Sequence, residues 1–422
     1  MTTVWGSGDV EAAAARRATL RVGPGDVVTP LARERARDLG VAITSADAAD
    51  RTPPLSTPTR TPSPSPTPAV GGPPHGMRPP SPALFRRGAP LPDGLGAPAP
   101  GPDPRSPAGR VVVVGAGHVG MIAAMRLADA DVFDEVVLVD VDEGRAAGIA
   151  LDLTHTAALS DFATRVRGVG TVEEAGTADY VVLTAGRPRQ PGMSRADLVG
   201  TNAEIVGDVA RRVARTSPAA VLVVVTNPLD EMTQHAWTCS GFPAARVLGM
   251  AGVLDTARFQ ALTALAGTGR ASAVDALALG SHGEEMVIPL SRARAGGRPV
   301  TDALPAERLR AVVDRARGSG AEVVGLLRSG SAFLAPGTSA ARMVLAMARE
   351  TGEVLSAAVL ADGAYGIRDV YLGLPVRLGR RGLREIVTLD LAPDELAALR
   401  AAGERIRERL GGLRPREQDS AR

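Results

Sequence analysis

VVVVGAGHVG, residues 111–120, followed at once by MIAAMRLA (121–128), decides the reading of this chain. Four successive valines are apolar on both faces, the pattern of a strand covered from both sides. Gly115, Gly117 and Gly120 follow at GxGxxG spacing and lead into residues with helical periodicity. In such a strand–turn–helix unit the first glycine permits the tight turn. The second lets a pyrophosphate approach the backbone, and the third lets helix and strand pack closely. The phosphates then rest on unpaired N–H groups at the helix N-terminus.

Outward from this stretch, EVVLVD ends at Asp140, twenty residues beyond Gly120. An acid at that distance accepts from ribose hydroxyls and repels a 2′-phosphate, so NAD is expected rather than NADP. YVVLTAG (180–186), AVLVVVTNP (220–228) and a shorter run ending at Leu248 follow at βαβ spacing. They predict a parallel sheet with helices on both faces and sites at the carboxyl ends of its strands. TAGRPRQPGMSR (184–195) lies at one such end and carries Arg189 and Arg195, six apart on a loop punctuated by Gly and Pro. A planar guanidinium meets a carboxylate with two parallel hydrogen bonds, so this pair suits a small dicarboxylate, on a segment able to close over it.

From about Arg110 to Leu410 the motifs resemble, in order, those of the lactate/malate dehydrogenase family. They are VVVVGAGHVG, LDLTH, TAGRPRQPGMSR with the following TN, VVVTNPLD, LGMAGVLDTARF, GSHGEEMVIPLS, GAEVVGLLRSGSAF and YGIRDVYLGLPVRLG. Within the family the chain is similar to malate dehydrogenases of lactate-dehydrogenase-like type. The resemblance implies that His282 is the proton donor and acceptor at the substrate oxygen and that Asp255 is its carboxylate partner. It implies that Arg258 takes the C1 carboxylate, that Arg195 polarises the reacting carbonyl, and that Asn227, before a cis Pro228, hydrogen-bonds the substrate oxygen. Asn202 joins Gly115, Gly117, Gly120 and Asp140 as a cofactor-binding residue.

Arg189 stands where the family's lactate enzymes carry an uncharged glutamine, which implies oxaloacetate and malate as substrates, since a monocarboxylate leaves a buried cation poorly paired. The small Ala332 agrees with a roomy pocket. Another 2-hydroxy acid such as lactate is the alternative within the class. A catalytically silent NAD-binding scaffold is the alternative outside it, and a scaffold has no physical need for the whole set of site residues. Glu284 and Glu285 depart from the Asp-Thr pair common after the family's His-Gly. His118 and His155 are expected in packing or subunit contacts. No metal is expected.

The expected fold is α/β. A doubly wound, parallel-sheet (Rossmann) NAD-binding domain over 110–255 precedes a mixed α/β catalytic domain over 256–412 and a polar tail over 413–422. In the second domain, residues 275–291 and 376–389 read as strands around turns, and 395–410 as a closing amphipathic helix. Family members of this pattern assemble as homodimers or homotetramers.

In front, residues 52–109 form a Pro-rich, disordered linker, with nineteen of the thirty-three prolines between 52 and 108. Residues 1–51 make a short segment of two helices, or one helix and an arm, with Pro30 suited to a first helical turn. TPLARERARDLGV (29–41) resembles tails on enzymes of bacterial microcompartments and sugar-acid pathways, which implies a docking arm for a protein partner or shell; a small accessory arm without a partner is the alternative. One cysteine, Cys239, and the lack of a long apolar run or a secretion pattern fit the cytoplasm and no membrane. The basic pI near 9.1 does not indicate nucleic acid, because residues 51–110 hold seven Arg against two Asp and the remainder has no basic surplus.

Overall fold

The computed structural model describes residues 4–5, 7–23, 26–28, 30–45, 108–187, 195–283, 285–328 and 330–411. Nearly all of the expected linker, the middle of the 184–195 loop and the expected C-terminal tail lie outside them. The chain divides into two compact units, residues 1–97 and 98–422.

Among its described residues the first unit holds two helices, Ser7–Ala15 and Pro30–Asp38, the first of the two alternatives expected, and Pro30 opens the second. The structure adds strands to the expected helices. Val4–Trp5 pairs in parallel with Val27–Val28, and Leu20–Val22 with Ile43–Ser45. The order strand–helix–strand thus occurs twice, with equivalent strands side by side. Strands of two or three residues are too short to show a period, which is why the sequence pattern concealed them. Val10, Ala13, Leu20, Ala32 and Ala36 form a core of small side chains. The Asp26 carboxylate pins the Gly23 turn by accepting from the Gly23 amide at 2.9 Å and the Trp5 indole at 3.0 Å.

Among the described residues, the second unit is built on one sheet of eleven strands. Strands β1 (Ala108–Val114), β2 (Phe133–Val139), β3 (Arg165–Val169), β4 (Tyr180–Leu183), β5 (Val221–Val224) and β6 (Val247–Gly249) are parallel, in the order β3-β2-β1-β4-β5-β6. Their crossovers contain α1 (His118–Asp129), α2 (Glu143–His155), α3 (Arg195–Thr216) and α4 (Leu229–Ser240). The alternation along β1 explains why both faces are covered: Val111 and Val113 belong to one buried cluster, Val112 and Val114 to another. Each such side chain contributes on the order of 1.5–3 kcal/mol by leaving water. The strand order reverses between β1 and β4, and the crevice at that switch point is where a doubly wound sheet holds its ligand.

From β6 the chain enters α5 (Gly252–Thr263), β7 (Leu279–Gly280), β8 (Met286–Val287), α6 (Ala306–Leu327), α7 (Leu334–Ala348), β9 (Val354–Asp362), β10 (Arg368–Gly379), β11 (Gly382–Ile386) and α8 (Pro393–Gly411). The sheet continues across this part: β9 pairs antiparallel with β6, β10 with β9, β7 with β10 and β8 with β7, while β11 pairs with β10. The hairpin expected over 376–389 and the closing helix expected over 395–410 correspond to β10–β11 and α8. The strands expected over 275–291 are shorter, because the chain leaves the sheet between Gly280 and Met286 to carry His282 on a turn.

Candidate active site

The three glycines open α1 as their spacing requires. Gly115 has φ +104°, and a Cβ on it would meet the Ala185 amide nitrogen at 2.7 Å. A Cβ on Gly120 would lie 1.9 Å from the Gly115 carbonyl oxygen, so only glycine permits this approach of helix to loop. A Cβ on Gly117 would meet nothing within 4 Å, and no side chain caps the helix behind it. The first-turn amides of α1 thus stand beside open space, the arrangement that accepts a phosphate. A cleft of about 650 Å³ runs from here along Gly115, Gly117, Asp140, Thr184 and Arg187. Asp140, at the end of β2, accepts from the Ala116 amide at 2.7 Å and from the Asp142 amide at 3.1 Å. One bond to each oxygen leaves acceptor capacity for hydroxyls. The glycine cradle, the uncapped helix and the acid at its rim fit a dinucleotide.

Asn202, on α3, is buried between this cleft and the catalytic region. Its Oδ1 accepts from the Arg187 amide at 2.8 Å, and its Nδ2 donates to the Asn227 carbonyl at 2.7 Å and the Arg187 carbonyl at 3.2 Å. It therefore ties the base of the 184–195 loop to the segment after β5. The Asn227–Pro228 peptide is cis.

The catalytic candidates come from two elements. α5 can lie against β9 because Gly252 has no side chain: a Cβ there would be 1.8 Å from the Ser356 hydroxyl. This packing buries Asp255 to 2 % exposure and turns Arg258, one helical turn later, to the same side. The Asp255 carboxylate accepts from Arg258 Nη1 at 3.2 Å, and its other oxygen lies 2.9 Å from His282 Nδ1. A bond from Nδ1–H to the carboxylate leaves Nε2 as the atom free to exchange a proton. Burial disfavours the charged ring, but the charge and hydrogen bond of Asp255 outweigh it, aided by the charge of Asp230, so the His282 pKa is raised. A cavity of about 360 Å³ lies in front, lined among others by Asn227, Arg258, His282, Arg317 and Ala332.

The structure thus brings together His282, Asp255, Arg258, Asn227 and Ala332, and separately Gly115, Gly117, Gly120 and Asp140. Arg189 and Glu284 lie outside the described residues. Arg195 is the first residue of α3, and its side chain lies outside the description. His118 opens α1 with its ring 5.1 Å from that of Phe333, a packing contact. His155 ends α2. Sequence reasoning missed three residues at the site: Asp230 behind His282, Arg317 on the cavity wall and Arg409 on the last helix. The first stood in the quoted VVVTNPLD, but an acid there reads as an ordinary first-turn residue of a helix; nothing local distinguished the other two from the chain's many arginines.

Residues 109–249 match the family model described as lactate/malate dehydrogenase, NAD binding domain, and residues 252–411 that described as lactate/malate dehydrogenase, alpha/beta C-terminal domain. The malate dehydrogenase of Synechocystis sp. is 45% identical over 299 residues, 71% of this chain and 92% of that protein. Among solved structures, malate dehydrogenase from Salinibacter ruber aligns with TM-score 0.69 and 39% identity, over 72% of this chain and 97% of that one. The minor L-lactate dehydrogenase of Enterococcus mundtii aligns with TM-score 0.69 and 32% identity, over 73% and 99%. Backbone likeness is equal for these two structures, while sequence identity is higher to the malate dehydrogenases, 45% and 39% against 32%.

Proposed function

Because this chain belongs to the lactate/malate dehydrogenase family, we propose that its reaction is the reversible, NAD-dependent interconversion of malate and oxaloacetate. The chain is an oxidoreductase of the malate dehydrogenase kind. The observation that carries this is the His282–Asp255–Arg258 group facing a cavity next to the dinucleotide cleft.

In this reading residues 110–255 hold the cofactor and 256–412 complete the substrate site. NAD, when bound, supplies or accepts the hydride at C2 of the acid. Gly115, Gly117 and Gly120 give its phosphates access to the α1 amides, Asp140 accepts from a ribose, and Asn202 fixes the loop edge beside it. Arg258 holds the C1 carboxylate in a charge-assisted pair. His282 Nε2 gives its proton to the C2 oxygen during reduction and takes it back during oxidation, and Asp255 holds the ring in the required tautomer. Asn227 donates to the same oxygen. Arg195 polarises it, and Arg189 pairs with the second carboxylate when the loop closes. Reduction needs the charged ring and oxidation the neutral one.

The acting form is a homodimer or homotetramer in the cytoplasm, and residues 1–51 are an arm that docks on a protein partner or a microcompartment shell. Support for the arm is its own core, separate from that of the catalytic unit. NADH oxidation by the purified chain, with oxaloacetate and pyruvate side by side and again with NADPH, tests the proposal. Preference for oxaloacetate and NADH is expected; preference for pyruvate would overturn the role of Arg189, and preference for NADPH that of Asp140.

A further inference from the structure

A second carboxylate touches the catalytic histidine from behind. Asp230 lies in the first turn of α4 and is 2 % exposed. Its Oδ2 accepts from the Ser281 hydroxyl at 2.8 Å and from the His282 backbone N–H at 3.2 Å, while Oδ1 has no hydrogen-bond partner among the described residues. A carboxylate so deeply buried is costly unless charges nearby balance it. A cation from the far end of the chain reaches the same serine. Arg409, on α8, donates to the Ser281 hydroxyl at 2.9 Å, to Glu231 at 2.7 Å and to Glu285 at 2.8 Å. Because an arginine only donates, the Ser281 oxygen accepts from Arg409 and its proton must point to Asp230. The bonds therefore run in one direction, from Arg409 through Ser281 to Asp230, and the same carboxylate oxygen anchors the His282 amide.

We propose that Arg409, Ser281 and Asp230 are positioning residues for His282: they fix the turn that carries the ring and supply, behind it, a negative charge that favours its protonated form. The C-terminal helix is thereby part of the site without touching substrate. The proposal rests on His282 being the proton donor.

The charged groups around Asp230 set the sign of the effect. Glu231 neighbours it on α4, His282 and Glu285 face it from the turn after β7, Asp255 and Arg258 lie on α5, and α8 contributes Arg409, with Arg405 bound to Glu285 at 2.9 Å. Burial and then the charge of Glu231 push the Asp230 pKa up to about 6, against the hydrogen bonds from Ser281 and His282. Removing Arg409 takes one cation from Glu231 and Glu285, with Arg405 still on Glu285, and releases the Ser281 hydroxyl that it turns toward Asp230, so Asp230 holds its charge less firmly. Less negative charge then stands behind the ring, and the His282 pKa falls.

Arg409→Met and Ser281→Ala in the full chain test this through the NMR titration of the histidine rings, five in all, alongside the pH profile of oxaloacetate reduction. The His282 titration midpoint should fall by roughly 0.5 to 1 pH unit in Arg409→Met and less in Ser281→Ala. At pH 8 kcat should drop about threefold to tenfold, with KM for NADH unchanged and partial rescue by Arg409→Lys. Ser281→Ala keeps every charge and decides the matter if Arg409→Met does not fold. An unmoved His282 midpoint in the folded variants would overturn the positioning role. Failure of the unsubstituted chain to turn over oxaloacetate would instead remove the proton-donor reading, and the titration would still report on the network.

Discussion

Two neighbouring regions of the same sheet are assembled in opposite ways. The dinucleotide cleft is made chiefly of backbone: Gly115, Gly117 and the first turn of α1 form it within a few residues, and Asp140 joins them from the next strand. The cavity in front of His282 is made of side chains drawn from the segment after β5, from α5, from the turn after β7 and from α6. Its working atoms are held by contacts between residues far apart in the chain, such as His282 on Asp255 and Arg409 on Ser281. A backbone site tolerates changes of side chain but not the addition of a Cβ. A side-chain site tolerates changes of volume but not the loss of one polar atom.

The comparison makes the two regions separable by mutation. The largest effect is expected for His282→Gln, which should lower turnover by about 10²–10⁴-fold while NADH binding, measured by fluorescence titration, stays intact. Loss of NADH binding there would show that the regions are not independent. Arg189→Gln should shift kcat/KM from oxaloacetate toward pyruvate by several kcal/mol of discrimination, since an amide cannot pair with a second carboxylate. Unchanged oxaloacetate kinetics would place Arg189 away from the substrate. Gly120→Ala should cost about 1–3 kcal/mol in thermal unfolding and weaken NADH binding, because its methyl group must displace the Gly115 carbonyl. A variant with unaltered Tm and NADH affinity would contradict the close approach.

A smaller change separates the two directions of reaction by pH. With the His282 pKa raised above the ordinary imidazole value, the protonated ring persists to higher pH. Reduction of oxaloacetate should hold its rate above that value and decline as pH rises through the raised pKa, and oxidation of malate should rise over the same range. Parallel profiles in both directions would exclude His282 as the titrating group. The smallest effect is expected for deletion of residues 1–107, which should leave turnover within about twofold, as the two units have separate cores. A collapse in activity would make the front of the chain part of the catalytic fold.

How much was legible follows from the same contrast. GAGHVG and Asp140 are readable because a backbone site is local: its spacing along the chain is its geometry in space. His282, Asp255 and Arg258 were recognisable through motif resemblance, and Asp255 and Arg258 could also be set on one helical face by their spacing. The 2.9 Å contact of His282 with Asp255 could not be measured along the chain. Asp230 was visible but silent, because an acid after Asn-Pro reads as an ordinary first-turn residue of a helix. Arg409 was hidden among forty-eight arginines until α8 packed beside the histidine turn.

By itself, then, the sequence determined the parallel sheet, the order of its strands' motifs and the NAD cofactor. Those depend on periodicity and on backbone freedom, which act over a few neighbouring residues. Only the tertiary structure decided that one sheet runs through both halves, that a duplicated strand–helix–strand unit stands at the front, and that Arg409 on the last helix meets the serine beside His282. Those depend on long-range pairing and on buried charges finding partners, and neither has a signature until the chain is folded.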